Sequence, residues 1–375
     1  MDNYMKPLSQ VRVTRIARIT LIILSGLILL CLTRCNKSAN SRGIIHNDVR
    51  WIDTEGNEIF CQGGSLCKFG DTFYFYGWAD FPGDNRYDKI TCYSSKDLAT
   101  WKFESSIYER NMTDTTLIVP DRLHILYNET TGKYVMIGKH ILPVNDPAIP
   151  HQPRVTGGVS FFTCSNPTGK FNYLGHVNLP EGTGTNYHRD LSAFKDSDGK
   201  AYIVSAHDQH DTTKRNIMIT LLSADYLSIE RVISEVPAYK GYPDKGKESP
   251  YIIKINGKYW LFTSGEGPDA WGSSPTYYSS AASLEGPWSE FRLVLTSPPS
   301  SNTHDSQNDF LFEVSGSKGS FVLWGGDRWS QRTPTNDSLG KNVWLPLQWK
   351  AEEPLLMWYR SWNIDATKGT FQKIE

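Results

Sequence analysis

The sequence predicts an all-β protein folded as a five-bladed β-propeller, with about four antiparallel strands in each blade. A tight glycine turn followed by an alternating aromatic or β-branched run is typical of a β-hairpin. This pattern occurs five times, at KFGDTFYFYG (68–77), ETTGKYVMIG (129–138), DSDGKAYIVS (196–205), INGKYWLFTS (255–264) and SGSKGSFVLW (315–324). The glycines are 62, 67, 58 and 62 residues apart. A repeat of this size indicates units that bury their apolar faces against one another.

Each glycine hairpin is followed by a second predicted pair of strands. In 90–103 and 276–291, for example, an alternating run, a polar turn and an aromatic strand follow in order. Four short strands make up one propeller blade, and five such units fit between about residue 50 and residue 362. Hairpins duplicated within a β-sandwich would give the same period and are the alternative fold. A helical fold is disfavoured because no long apolar stripe with a 3.6-residue period follows residue 35.

The first 35 residues are predicted to be a targeting segment. Basic residues between Lys6 and Arg18 precede an apolar run from Ile19 to Leu32, which is short for a membrane-spanning helix and suits a signal peptide. With Cys31 and Cys35 at its end, the segment resembles a bacterial lipoprotein signal. We therefore expect a lipid-anchored protein of the bacterial cell envelope, in the outer membrane or the periplasm. An uncleaved membrane anchor and a secreted protein are the alternatives.

The predicted domains are a signal or anchor segment at 1–35, a polar tether at 36–43 and the propeller at 44–375. The formal net charge is −1, so there is no electrostatic case for binding nucleic acid. Four cysteines follow residue 35, and their spacing does not match a zinc site. We expect them to be small buried apolar side chains, although the predicted compartment also allows a disulfide. The sequence indicates no cofactor and leaves open a structural cation in the channel.

Polar residues precede four of the five glycine hairpins, at the start of the strand that should line the central channel. They are Asp121, Asp190, Glu248 and Gln307. We expect them to occupy equivalent positions in successive blades and therefore to converge. Converging carboxylates either bind a cation or carry out acid–base chemistry on a sugar.

Three segments resemble motifs of glycoside hydrolase family 43. They are RDLSAFKDSDGKAYIV (189–204), KESPYIIKINGKYWLFTSGEG (247–267) and YSSKDLATW (93–101). Within that family, DSQNDF (305–310) and VWLPLQW (343–349) resemble the exo-1,3-β-galactanase-like branch. The resemblance covers about residues 44–365. It implies an exo-acting, inverting hydrolase that releases a terminal sugar from a plant polysaccharide or oligosaccharide. Galactose from β-1,3-galactan or arabinogalactan is the leading expectation, and arabinofuranose or xylose is the alternative.

The resemblance also implies roles for individual residues. Glu248 matches the general acid, and Asp190 matches the carboxylate that orients this acid and tunes its pKa. The usual general base is replaced by Gly63. Gln307 matches the glutamine of the galactanase-like branch, where it either positions water or acts as an unusual base. Two carboxylates of the same segment, at positions 305 and 309, are alternative bases.

Substrate contacts are predicted for six further residues. They are Asp121, Trp78, His188, Trp271, Glu266 and His304. Asp121 stands where the branch has a glutamate that contacts substrate. Trp78 stands where the branch has another glutamate. This replacement exchanges a hydrogen bond for a stacking surface.

A non-catalytic glycan-binding lipoprotein is the second hypothesis. The missing base and the altered pocket would then mark a site that keeps its affinity and has lost its chemistry. Glu248 distinguishes the two hypotheses, because only an enzyme requires a protonated carboxyl group against the departing oxygen.

Overall fold

A computed structural model describes residues 42–79, 89–109, 120–142, 154–179, 188–208, 215–238, 246–265, 273–328 and 341–374. The predicted signal segment and nearly all of the tether lie outside these residues. Within the described ranges, no helix has the length and the apolar character needed to cross a membrane.

The described residues form twenty-four strands. In chain order the first twelve are β1 (Arg42–His46), β2 (Gln62–Phe69), β3 (Thr72–Trp78), β4 (Lys89–Ser95), β5 (Lys102–Glu109), β6 (Asp121–Asn128), β7 (Lys133–Leu142), β8 (Arg154–Cys164), β9 (Asn172–Asn178), β10 (His188–Lys195), β11 (Ala201–Asp208) and β12 (Arg215–Leu222). The others are β13 (Ile229–Pro237), β14 (Lys247–Ile255), β15 (Lys258–Gly265), β16 (Thr276–Ala281), β17 (Arg292–Leu293), β18 (Leu295–Ser297), β19 (Gln307–Gly316), β20 (Gly319–Asp327), β21 (Asn342–Lys350), β22 (Glu353–Met357), β23 (Ser361–Asp365) and β24 (Thr370–Lys373).

Each of the five glycine repeats belongs to a large sheet of its own. Four of these sheets have four strands in chain order, namely β2–β5, β6–β9, β10–β13 and β14–β17. The fifth has five strands in the order β18-β22-β21-β20-β19, with β18 parallel to β22. Four of the five glycines lie in the turn that joins the two strands of their hairpin, and Gly319 is the first residue of β20. Gly70 and Gly257 have φ angles of 63° and 78°. This left-handed conformation is the reason that these turns favour glycine.

The predicted number of blades is wrong. The fold is all-β, but the described residues form six sheets and not five, which makes a six-bladed β-propeller. The sixth sheet has three strands in the order β1-β23-β24 and joins the two ends of the described chain. Its hairpin turns at Gly369, only 50 residues after Gly319, so it falls outside the repeat period. The remaining strand of this sheet, β1, comes from the N-terminal end of the described chain, where the sequence shows no periodic pattern.

The first strands of the five glycine hairpins lie next to one another around a ring. Each of β2, β6, β10, β14 and β19 contacts the next, and β19 contacts β2. In all five, the pairing with the neighbouring strand shifts register near the start of the strand. A β-bulge of this kind bends the strand and redirects side chains. The polar residues that the sequence analysis selected lie at these strand ends.

Aromatic side chains fill the space between the sheets. Trp344 on β21 is fully buried and meets Trp51, Phe75 and Phe310 edge-on, with ring centroids 4.8, 5.2 and 5.5 Å apart. Such edge-to-face contacts stabilise beyond the burial of apolar area alone. The four cysteines of the propeller are free, and two of them are fully buried. Burial raises the pKa of Cys67 to about 12, as for a thiol that serves as a small apolar side chain.

Asn47 fastens the sixth sheet to the fifth. Its side chain is fully buried and donates to the carbonyl oxygens of Trp344 and Tyr359, at 3.1 and 2.8 Å. Its amide oxygen accepts the backbone N–H of Trp344 at 3.0 Å. One side chain thus satisfies three buried backbone groups on β21 and on the segment that leads into β23.

We expect Asn47→Ala to lower the free energy of unfolding by about 3 kcal/mol, because a buried backbone group left without a partner costs about 1–3 kcal/mol. Urea denaturation measures this loss. The control is Asn178→Ala on the exposed side of β9, which should change stability by less than about 0.5 kcal/mol. Equal losses for the two variants would contradict the role assigned to Asn47.

Candidate active site

The site is organised around the guanidinium group of Arg122, the second residue of β6. Arg122 has a φ angle of 49° in the β-bulge of this strand, and its side chain is only 5% exposed. Its Nη1 donates to Oδ1 of Asp309 at 2.9 Å, and its Nη2 donates to Oε1 of Gln307 at 2.8 Å. Nη2 also lies 3.5 Å from Oδ2 of Asp190, and Nη1 lies 3.9 Å from Oδ2 of Asp327. Three sheets therefore meet at one cation.

A second buried cation lies on the other side of Asp190. Nζ of Lys139 on β7 is 3.2 Å from Oδ1 of Asp190, and both side chains are about 5% exposed or less. Oδ2 of Asp190 accepts the backbone N–H of Ser249 at 3.2 Å. Because Ser249 directly follows Glu248, Asp190 holds the backbone beside the predicted general acid.

Ser264 adjoins both Glu248 and Gln307. Glu248 is 2% exposed and pairs with Ser264 in the ladder between β14 and β15. Nε2 of Gln307 donates to Oγ of the same serine at 3.1 Å. The adjoining backbones are also bonded, since Nδ2 of Asn308 donates to the carbonyl oxygen of Ser249 at 2.9 Å and Oγ of Ser249 donates to that of Asn308. The predicted acid and the predicted glutamine thus share one rigid frame.

The converging residues do not occupy equivalent positions, contrary to the sequence-based expectation. Asp121 and Glu248 are the last paired residues before the bulge of their strands. Asp190 lies within the bulge of β10, and Gln307 precedes that of β19 by two residues. The side chains of Asp190 and Gln307 meet at the guanidinium group of Arg122 because the strand ends converge.

The remaining predicted residues differ in how far the structure describes them. Glu266 and Trp271 lie outside the described residues. Asp121 and His188 are the first residues of β6 and β10, but their side chains lie outside the described part of the chain. Trp78 is 4% exposed and its Nε1 donates to the carbonyl oxygen of Pro120 at 3.0 Å, which leaves little of its ring for stacking on a sugar.

His304 lies in the turn before β19 and faces the fifth sheet. Its Nε2 is 3.2 Å from the carbonyl oxygen of Leu356, and its ring lies 5.3 Å from that of Trp358. Burial lowers the pKa of His304 below its ordinary value. These contacts support a structural part for His304 in the site wall, and contact with substrate remains a prediction.

Sequence reasoning did not assign a role in the site to Arg122, Lys139, Ser264 or Asp327. Arg122 directly follows a predicted site residue, but an arginine beside an aspartate is usually a surface ion pair. Asp327 ends β20, and its fully buried carboxylate accepts the backbone N–H of Gly63 at 2.9 Å. A carboxylate from the fifth sheet therefore lies against the position where the usual base is absent. Nothing in the local sequence reveals this contact.

Asp309 differs from Asp305, the other alternative base. Asp309 shares the guanidinium of Arg122 with Gln307, and its Oδ2 is buried without a hydrogen bond from any described side chain. Burial raises the pKa of Asp309 to about 6, although Arg122 acts in the opposite direction. Asp305 lies in the preceding turn, where its carbonyl oxygen accepts a hydrogen bond from Nε of Arg328 at 3.1 Å.

No group of three or more histidine, cysteine, aspartate or glutamate side chains could hold a metal ion within the described ranges. The carboxylates at the convergence are instead interleaved with the side-chain cations of Arg122 and Lys139. Arg122 and Lys139 thereby offset part of the negative charge of these carboxylates.

Residues 59–354 match the protein-family model described as glycosyl hydrolases family 43. The chain is a member of glycoside hydrolase family 43. It is therefore a glycoside hydrolase, and the resemblance drawn from the sequence motifs is confirmed. No curated protein matches the sequence.

Solved structures of family 43 enzymes are similar over most of the chain. An exo-β-1,3-galactanase from Clostridium thermocellum is 28% identical with a TM-score of 0.73, and the match covers 88% of this chain and 69% of that one. An exo-β-1,3-galactanase from Phanerochaete chrysosporium, solved with galactose, is 27% identical with a TM-score of 0.71, over 89% of this chain and 71% of that one. A variant of the same fungal enzyme, solved with β-1,3-galactotriose, is 27% identical with a TM-score of 0.72 and the same coverage.

We expect Asp309→Asn to remove a pH dependence of stability. The pKa of Asp309 is raised from 3.8 to about 6 in the folded protein. The folded state therefore binds more protons than the unfolded state between these values, and wild type gains stability relative to the variant as pH falls through this window. The gain is at most about 1.4 kcal/mol per pH unit. Urea denaturation of both proteins from pH 7 to pH 4.5 measures it, and a difference that does not change with pH would contradict the raised pKa.

Proposed function

We propose that this family 43 hydrolase is an exo-acting, inverting enzyme that releases galactose from the end of a β-1,3-galactan or arabinogalactan chain. The observation that carries the proposal is the frame in which buried Glu248 and Gln307 both adjoin Ser264. The galactanase resemblance of the motifs and the exo-β-1,3-galactanases among the similar structures support the choice of substrate.

Glu248 supplies the proton for the departing group. Its hydroxyl proton passes to the glycosidic oxygen as the bond from that oxygen to the anomeric carbon breaks. A general acid must be protonated at the working pH. Asp190 acts on this group through the backbone N–H of Ser249.

Water attacks the anomeric carbon from the opposite face, with Gln307 holding it in place. One proton of the water must pass to a carboxylate as the new C–O bond forms, because a neutral amide is a poor proton acceptor. Asp309 suits this step better than Asp305, because it shares Arg122 with Gln307 and has an oxygen without a hydrogen bond from the described side chains.

We expect Glu248→Gln to lower kcat by at least about a thousandfold while the affinity for galacto-oligosaccharides changes by less than about fivefold. The amide keeps the shape of the acid but has no proton to give. Glu313→Gln, on an exposed position of β19, is the matched control and should retain full activity. Turnover and calorimetric binding measure the two quantities. Full activity of Glu248→Gln would contradict the acid assignment, and binding without turnover in wild type would favour the non-catalytic alternative.

We expect the first product released from a β-linked galacto-oligosaccharide to be the α-anomer, because an inverting displacement reverses the configuration at the anomeric carbon. Proton NMR in the first minutes of the reaction, before mutarotation, measures the anomer. Parallel arabino- and xylo-oligosaccharides test the alternative specificities. Initial β-anomer would contradict inversion, and preferred release of arabinose or xylose would contradict the choice of galactose.

We also propose that the protein is lipid-anchored in the bacterial envelope through Cys35. This cysteine is the last residue of the predicted signal segment 1–35 and precedes the polar stretch 36–43. Cys35→Ser should abolish labelling by radioactive palmitate and move the protein to the soluble fraction, whereas Cys31→Ser should remain labelled. Loss of the label only in Cys31→Ser, or no label in wild type, would contradict this assignment.

A further inference from the structure

We propose that Arg122 is a positioning residue that fixes the side-chain amide of Gln307, with its oxygen bound to the guanidinium and its nitrogen directed to Ser264. The inference rests on the proposed function of this site. It gives a specific part to a cation to which the sequence analysis assigned no role in the site.

The chemistry of arginine determines which way the amide points. A guanidinium group only donates hydrogen bonds, so the atom of Gln307 that lies 2.8 Å from Nη2 of Arg122 must be the oxygen. The nitrogen then faces Oγ of Ser264, which accepts at 3.1 Å. Both ends of the amide are thereby held, and a flip would place an N–H against the cation.

The guanidinium is itself held by the strands around it. Its Nη1 donates to Asp309 at 2.9 Å while its Nη2 serves Gln307. Asp190 and Asp327 lie 3.5 and 3.9 Å away. A planar group with several fixed donors can hold two neighbours at once, which the single ammonium of lysine does less well. Arg122 therefore transmits the geometry of β6 and β10 to a side chain on β19.

This contact also bears on the two roles considered for Gln307. A positive group bonded to the amide oxygen withdraws electron density and disfavours a tautomer that carries a proton on that oxygen. Gln307 accordingly stays an ordinary amide whose task is to hold water in line with the sugar. Arg122 contributes to turnover through the orientation of this amide.

A double-mutant cycle with Arg122→Lys and Gln307→Ala tests the inference. We expect each single variant to lower kcat by at least about tenfold, with KM within about threefold of wild type. The double variant should be no more than about threefold slower than Gln307→Ala, because Arg122 acts through the residue already removed. If the reduction in kcat of the double variant equals the product of the reductions in the two single variants, the inference is overturned.

Lys139→Gln provides the matched control for the cycle. It removes another buried cation beside Asp190. Its fold-reduction in kcat should multiply with that of Gln307→Ala in the double variant. Added guanidinium should restore part of kcat to Arg122→Ala but not to the double variant Arg122→Ala, Gln307→Ala. Thermal denaturation identifies variants that fail to fold, and rescue that does not depend on Gln307 would contradict the proposal.

Hydrogen exchange of the Gln307 side-chain NH2 gives a readout that does not require turnover. Its resonances are assigned by their loss in Gln307→Ala. We expect slow exchange in wild type and in Lys139→Gln, and fast exchange in Arg122→Lys. Equal exchange in wild type and Arg122→Lys would overturn the inference even if the protein proved to be a binder. Failure of Glu248→Gln to lose activity would instead count against the proposed function alone.

Discussion

The site depends on one guanidinium group that lies among three buried carboxylates and offsets part of their negative charge. Asp190, Asp309 and Asp327 come from two sheets and would repel one another strongly in a buried environment. Arg122 reaches all three from a third sheet, and Lys139 adds a second positive charge at Asp190. Burying such a network is costly unless every partner is in place, so the ring of first strands must hold these groups in register.

Local backbone distortions make this arrangement possible. A bulge near the start of each first strand bends the chain where the strands converge. Positive φ angles at Gly63, Arg122 and Ser249 belong to these bulges. Arginine and serine adopt this conformation at some cost. The residues with these positive φ angles, Gly63, Arg122 and Ser249, are those that contact Asp327, Gln307 and Asp190.

The sequence was sufficient to predict the hairpins and the main polar residues, because both depend on local patterns. A glycine at a left-handed turn and an alternating run are visible within ten residues. Asp190, Glu248 and Gln307 lie near the start of the first strand of their hairpins. Arg122 and Asp327 could not be assigned in this way, because their importance comes from contacts with residues more than 180 positions away or on another sheet. The sixth sheet was missed for the same reason.

The pairing of β1 with β23 also constrains the order in which the protein can fold. Ile44 lies opposite Asn363, so the strand that emerges first must wait for nearly the whole chain before it finds its partner. Contacts of such long sequence separation form slowly, because a large loop has to close. Until then β1 presents unpaired backbone groups along an edge, which favours association with other chains. Completion of this small sheet is thus a late event in biosynthesis, after the C-terminal residues have been delivered.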